Sequence, residues 1–184
     1  MSATYEREIK GILGGDAKVL DSVGATLNPS ETAAYQAARE RPFLMVRAAG
    51  SLGADLVALR HDLSFLVEVK SSKQSKIYFS DSARLVDQIN EIRTQCERTG
   101  VLPLYAFRRK SVRGDAWRMF TLPGLKLSGS AAALARLVPT IEKTEKGNDI
   151  IAWDRGIPLA RFLEHVCVNG ALKSQATVAA PALG

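Results

Sequence analysis

Cysteine and histidine are scarce in this chain, whose 184 residues hold two of each. Cys96 and Cys167 lie far apart, with no CxxC and no paired histidine spacing, which argues against a zinc site and a disulfide framework. Long apolar runs are missing as well. Nothing approaches the roughly 20 residues that a bilayer-spanning helix requires, so no membrane partner is expected. The opening Met-Ser-Ala-Thr-Tyr-Glu lacks the basic-then-apolar layout of a secretory signal. Neither GxGxxG nor a P-loop occurs, so a cofactor oxidoreductase or a kinase finds no support and no small-molecule cofactor is expected. Repeats and long low-complexity runs are absent too. These absences leave a soluble intracellular domain.

What is present is an apolar fraction of 46% and a mean hydropathy of −0.03, enough for one core without staples. Lys and Arg number 25 against 19 Asp and Glu, giving a net charge of +6 and a pI near 9.5. The excess is not spread evenly. Residues 1–40 carry a net −2, residues 41–118 a net +6 and residues 119–184 a net +2. Arg108, Arg109, Lys110, Arg113 and Arg118 form its densest part, opposed nearby only by Asp115. A basic patch of this kind attracts phosphate polymers, although a solvated basic surface would look the same in sequence.

Hydrophobic spacing predicts a first helix over residues 4–13, broken by Gly14-Gly15. Residues 16–30 read as a loop or a short helix, and Ser30 as the cap of a helix over residues 31–39, stopped before Pro42. The period then changes to that of strands at residues 43–47, 55–60 and 65–70, the last two joined by a hairpin loop. A helix over residues 82–98, with Leu85, Ile89, Ile92 and Cys96 on one side, precedes strands at residues 102–109 and 116–122. Pro123-Gly124 and Ser128-Gly129-Ser130 mark a boundary, followed by helices over residues 131–137 and 157–168. The order predicts an α/β domain over residues 1–122 and a partly helical C-terminal extension over residues 123–184, frayed from about residue 171.

The informative constellation is Asp55, then twelve residues, then Glu68-Val69-Lys70. Glu68 and Lys70 share one face of a strand, and the hairpin brings Asp55 to the same edge of the sheet. Two carboxylates so close repel each other unless a cation bridges them, and oxygen ligands suit Mg²⁺ or Mn²⁺. Lys70 adds a positive donor that can orient water beside a crowded phosphoryl centre. The same spacing also arises by chance, and a Glu–Lys pair can be a plain strand ion pair.

Val46-Arg47-Ala48-Ala49-Gly50-Ser51, Asp55-Leu56-Val57-Ala58 and Leu66-Val67-Glu68-Val69-Lys70-Ser71 together resemble the archaeal-type Holliday junction resolvases of the PD-(D/E)xK nuclease superfamily. Tyr5-Glu6-Arg7-Glu8-Ile9-Lys10 is similar to the first-helix motif of that family. The resemblance covers residues 4–13 and 43–122. It implies a restriction-endonuclease-like core, a central mixed sheet flanked by helices, with residues 16–42 as an insertion and no role for residues 123–184. It further implies that Asp55, Glu68 and the Val69 carbonyl ligate Mg²⁺, that Lys70 positions the attacking water, and that Glu6 completes the acidic cluster. Arg7, Arg47 and Ser51 would contact the DNA. Arg84, Arg108, Arg109, Lys110 and Arg113 are candidates for further backbone contacts. Glu31, sixteen residues before Arg47, is the alternative to Glu6.

The implied activity is a Mg²⁺-dependent endonuclease of the crossover junction type, acting in recombination and repair. It would be a homodimer on branched DNA, cytoplasmic and associated with the nucleoid. Another nuclease of the superfamily cutting duplex or flaps would share this active site. A DNA-binding module without activity would not need Asp55, Glu68 and Lys70 together.

Overall fold

The computed structural model describes residues 2–48, 53–79, 83–110, 112–145 and 147–169. Three helices lead the chain: α1 (Ser2–Leu13), α2 (Ala17–Gly24) and α3 (Pro29–Glu40). The break after α1 is made at Gly15, whose φ of +69° suits a residue without a side chain. The stretch left between loop and short helix becomes α2, capped by Asp16, which accepts from the Lys18 and Val19 amides. The cap of α3 is Asn28 rather than Ser30. Asn28 Oδ1 accepts from the Glu31 amide at 2.9 Å while Glu31 Oε2 accepts from the Asn28 amide at 3.0 Å. Pro29 then occupies a first-turn position where its missing N–H costs nothing.

The strands follow as β1 (Leu44–Arg47), β2 (Leu56–Arg60), β3 (Leu63–Ser72) and β4 (Lys76–Tyr78). After them come α4 (Ala83–Thr99), β5 (Leu102–Arg109), β6 (Trp117–Thr121) and α5 (Gly129–Leu137). The last elements are β7 (Glu142–Lys143), β8 (Asp149–Ala152), β9 (Ile157–Pro158) and α6 (Leu159–Leu163), which continues as a π-helical turn over Glu164–Asn169. Among the described residues, six strands make a mixed sheet in the order β1-β2-β3-β5-β6-β9, whose single parallel strand pair is β3 with β5. A parallel neighbour needs a crossover, and the chain between these two strands supplies it with β4 and α4. β4, β8 and β7 form a separate antiparallel sheet of three strands. The fold is therefore mixed α/β, with a central mixed sheet flanked by helices.

Alternation along β5 splits the core in two. Leu102, Leu104 and Ala106 face a cluster shared with α1, α3, α5 and α6, while Tyr105 and Phe107 face a second cluster with Phe79, Phe120 and Ile151. Arg60 ties the first cluster to the turn that continues α6. Its guanidinium donates to Val166 O at 2.6 Å and to Arg41 O at 2.9 Å, pairs with Asp62 and lies 4.0 Å from the Phe43 ring centroid.

Of the segment after residue 123, expected as an extension, the described residues up to 169 are built into these cores. β9 pairs with β6, and Leu159, Phe162, Leu163 and Val166 lie in the cluster that holds Leu56, Phe65 and Val67. Where a single helix was expected over residues 157–168, a short strand comes first, because Ile157 and Pro158 take the sheet edge beside Met119 and Arg118. Phe162 is fully buried and meets Phe65 edge-on at 5.7 Å. Phe162→Ala should therefore cost about 3–5 kcal/mol in urea denaturation of the full chain. A loss under about 1 kcal/mol would show that the C-terminal segment is peripheral to the fold.

Candidate active site

Asp55 stands just before β2 and is tied to β3 twice. Its amide donates to Val67 O at 3.0 Å, and its Oδ2 accepts from the Val69 amide at 2.7 Å. Its own carbonyl accepts from the Ala48 amide at 2.9 Å, which joins the same point to the end of β1. Glu68 and Lys70 project from one face of β3, with Lys70 Nζ 2.6 Å from Glu68 Oε1. Lys70 also lies 5.9 Å from the Phe79 ring centroid, so an aromatic wall and a carboxylate restrain the ammonium. Burial pushes the Glu68 carboxyl above its ordinary value of 4.5, the Asp55 charge adds to that push, and Lys70 opposes both without cancelling them.

Two like charges held on neighbouring strands are the arrangement a bridging cation relieves. The side chains offer only oxygen, which fits a hard divalent ion, and two carboxylates leave room for a backbone carbonyl and water. Among the described residues no group of three or more His, Cys, Asp or Glu side chains is placed to hold a metal ion, so the carboxylates gathered here are the pair Asp55 and Glu68.

The third carboxylate of the sequence reading is engaged elsewhere. Glu6 Oε1 on α1 lies 2.7 Å from Arg47 Nε, which brings both residues to the end of β1 next to the strand that Asp55 opens. Glu31 closes the capping box of α3 and makes no such contact among the described residues.

The basic candidates separate by partner. Arg47 and Arg108 are paired, with Glu6 and Glu8 respectively. Arg7 and Arg113 are exposed. Lys110 Nζ lies 5.6 Å from the Tyr5 ring centroid, and Arg109 packs at 5.5 Å from that of Trp153. Arg84 stands in the first turn of α4, and Ser51 lies outside the described residues.

Sequence reasoning missed Glu8, Tyr5 and Trp153. Glu8 Oε1 accepts from Arg108 Nε at 2.8 Å and from Trp117 Nε1 at 2.7 Å, and the Tyr5 ring lies 5.0 Å from the Arg108 guanidinium. Glu8 follows Glu6 by two positions, which hints at an acidic helix but not at partners a hundred residues away.

A family model described as archaeal Holliday junction resolvase matches residues 30–168. The match takes in residues 30–42 and 123–168 and begins after α1. Among solved structures, the chain is similar to Archaeoglobus fulgidus Hjc, a Holliday junction resolvase from an archaeal hyperthermophile. That likeness has 22% identity and a TM-score of 0.45, and covers 66% of this chain and 81% of the other. No curated protein sequence matches. No helix among the described residues is long and apolar enough to cross a membrane.

The raised Glu68 value has a direction in stability. Ionised Glu68 costs the folded state free energy above its folded value, and that cost fades as the pH falls through it toward 4.5. Asp55→Asn keeps an acceptor for the Val69 amide but removes the repelling charge. It should raise stability at neutral pH by about 1 kcal/mol, as loss of a strained functional charge commonly does. In a carboxyl-carbon NMR titration the Glu68 midpoint should fall toward its ordinary value. An unmoved midpoint would show that Asp55 does not act on Glu68.

Proposed function

Since the chain belongs to the archaeal Holliday junction resolvase family, we propose that it is a Mg²⁺-dependent endonuclease that resolves four-way junctions by symmetric paired cleavage. The observation that carries this reading is the convergence of Asp55, Glu68 and Lys70, with Asp55 bound to the Val69 amide at 2.7 Å and Lys70 to Glu68 at 2.6 Å. Asp55, Glu68 and the Val69 carbonyl would hold Mg²⁺, or Mn²⁺ in its place. Bound there, the ion supplies Lewis-acid charge to the phosphate oxygens.

The remaining work falls to the chain itself. Lys70, anchored by Glu68, orients the attacking water. The water oxygen bonds to phosphorus in line with the departing 3′ oxygen, leaving a 5′-phosphate and a 3′-hydroxyl. Arg47 is half exposed beside Glu6 and exchanges that carboxylate for the phosphate. Glu6, so released, completes the acidic edge. A junction presents two equivalent strands, and a two-fold homodimer with one site per protomer matches that symmetry. Selection of the branched shape rests on contacts to the backbone rather than to base edges, for which Arg84, Arg108, Arg109, Lys110 and Arg113 are the candidates, with Arg7 and Ser51 as contacts nearer the cut.

A labelled immobile four-way junction, a duplex and a flap should be incubated with the protein in Mg²⁺ or in EDTA. Symmetric paired nicks in the junction alone, lost with EDTA and in Asp55→Ala while binding persists, are the expected result. Equal cutting of duplex would sink the junction reading, and binding without cleavage would point to a module that has lost its chemistry.

The distal carboxylate is tested separately. Glu6→Gln should abolish cutting, whereas Glu31→Gln should leave the rate intact and cost about 1 kcal/mol of stability through the lost capping box. The reverse pattern would move the role to Glu31.

A further inference from the structure

We propose that Arg109, backed by the ring of Trp153, seats a second phosphate of the bound DNA strand beside the one that is cut. The inference rests on the nuclease reading and deepens it by giving the strand a direction across the sheet. Lys70 and Ser72 lie two apart on β3, so they share a face, and Ser72 pairs with Arg109 in the parallel register of β3 with β5. Arg109 therefore stands on the face of Glu68 and Lys70. It lies about 7 Å further along the strand direction and about 4.8 Å across to the next strand. A phosphate one or two nucleotides from the scissile linkage falls within the reach of its side chain.

A buried guanidinium nitrogen with no acceptor, together with the lack of a carboxylate partner among the described residues, singles this residue out. Arg47 is paired with Glu6, Lys70 with Glu68, Arg108 with Glu8, and Arg118 lies 3.9 Å from Asp115. Arg109 has no carboxylate partner among the described residues. Its Nε is buried with no hydrogen-bond acceptor. A half-buried guanidinium without a counter-charge is an expensive thing to keep folded, and its planar fork can take a phosphate through two parallel hydrogen bonds.

The surroundings are built to hold it. The Trp153 amide donates to Ser75 O at 2.7 Å and its Nε1 to Ala116 O at 2.9 Å, while Arg118 packs at 3.8 Å from the ring centroid. The backbone of Trp153 is thus tied to the turn that follows β3, and its ring to the residue before β6. Arg109 is anchored through its amide, which donates to Ala116 O at 3.1 Å. Trp153 comes from the segment after residue 123, so this part of the chain contributes directly to the nucleic-acid surface.

The test is binding of the full chain in EDTA to junctions carrying one neutral methylphosphonate, stepped away from the cut. In the unaltered protein a neutral linkage one or two nucleotides from the cut should weaken binding about tenfold. Arg109→Ala should weaken binding to the all-phosphate junction by a similar factor and lose all sensitivity to that linkage. Arg109→Gln, a milder change, should behave alike, with unaltered melting as the control for folding.

Additive losses, or sensitivity that survives in both variants, would overturn the seat. Inorganic phosphate that binds the unaltered protein at Arg109 more tightly than the junction does would assign the position to a free anion and overturn it as well. Asp55-dependent cutting without any coupling at Arg109 would remove the seat and leave the nuclease reading standing. Failure of the unaltered protein to bind any DNA would remove both.

Discussion

The hydrogen bond from the Val69 amide to Asp55 Oδ2, at 2.7 Å, is the constraint on which the candidate site depends. The ladder between β2 and β3 runs from Arg60 and Leu63 to Leu56 and Val67, and there β2 ends. β3 continues to Ser72 with β5 still at its other edge. The Asp55 carboxylate takes the place of the missing strand at Val69, as a buried or half-buried amide requires an acceptor. The same bond sets this carboxylate beside Glu68. Beyond it, among the described residues, Lys70 to Ser72 have no strand partner on that edge of β3, a step in the sheet where a backbone can approach. A structural need and a chemical one are met by one oxygen pair, so the like charges cannot relax apart without exposing the strand end.

Beneath this face a second carboxylate does the opposite work. Asp115 is buried and accepts from Tyr35 Oη at 3.0 Å, the Trp117 amide at 3.3 Å and the Ala160 amide at 2.8 Å. Burial raises its carboxyl, with these donors and Arg118 pulling the other way. It joins α3, β6 and the start of α6, three elements drawn from distant parts of the chain. Tyr35 answers the same contact, its hydroxyl pushed well above its ordinary value by burial and by the Asp115 charge. Acidic residues therefore serve three ends here: Asp55 and Glu68 as a repelling pair, Glu6 and Glu8 as partners for arginines, and Asp115 as a buried knot.

Much of the frame was legible because it is local. Alternation at residues 65–70 places Glu68 and Lys70 on one face, and Gly14-Gly15 ends α1 where expected. The helix before β5 shows its buried side at Ile92 and Cys96. What escaped depends on contacts between remote positions. β4, β7 and β9 run only two or three residues, too short for any period to stand out. Asn28 was passed over in favour of Ser30 because both are good caps, and Pro29 decides between them by fitting the first turn. The site showed the same limit. Asp55, Glu68 and Lys70 were visible as a spacing, whereas the pairing of Arg108 with Glu8 and the stacking of Arg109 on Trp153 arise only when β5 meets α1 on one side and residue 153 on the other.

The interlocking of α3 with α6 bears on when the protein can become active during its synthesis. Tyr35 and Ala38 are covered by elements made more than a hundred residues later, and Arg60 waits for the carbonyl of Val166. The hairpin carrying Asp55, Glu68 and Lys70 leaves the ribosome early, but the layer that supports it is finished only as residues 159–169 emerge. Such long-range closure is slow compared with hairpin formation, and domains settle as units. A chain stalled midway would carry the acidic residues and the lysine without a firm scaffold behind them.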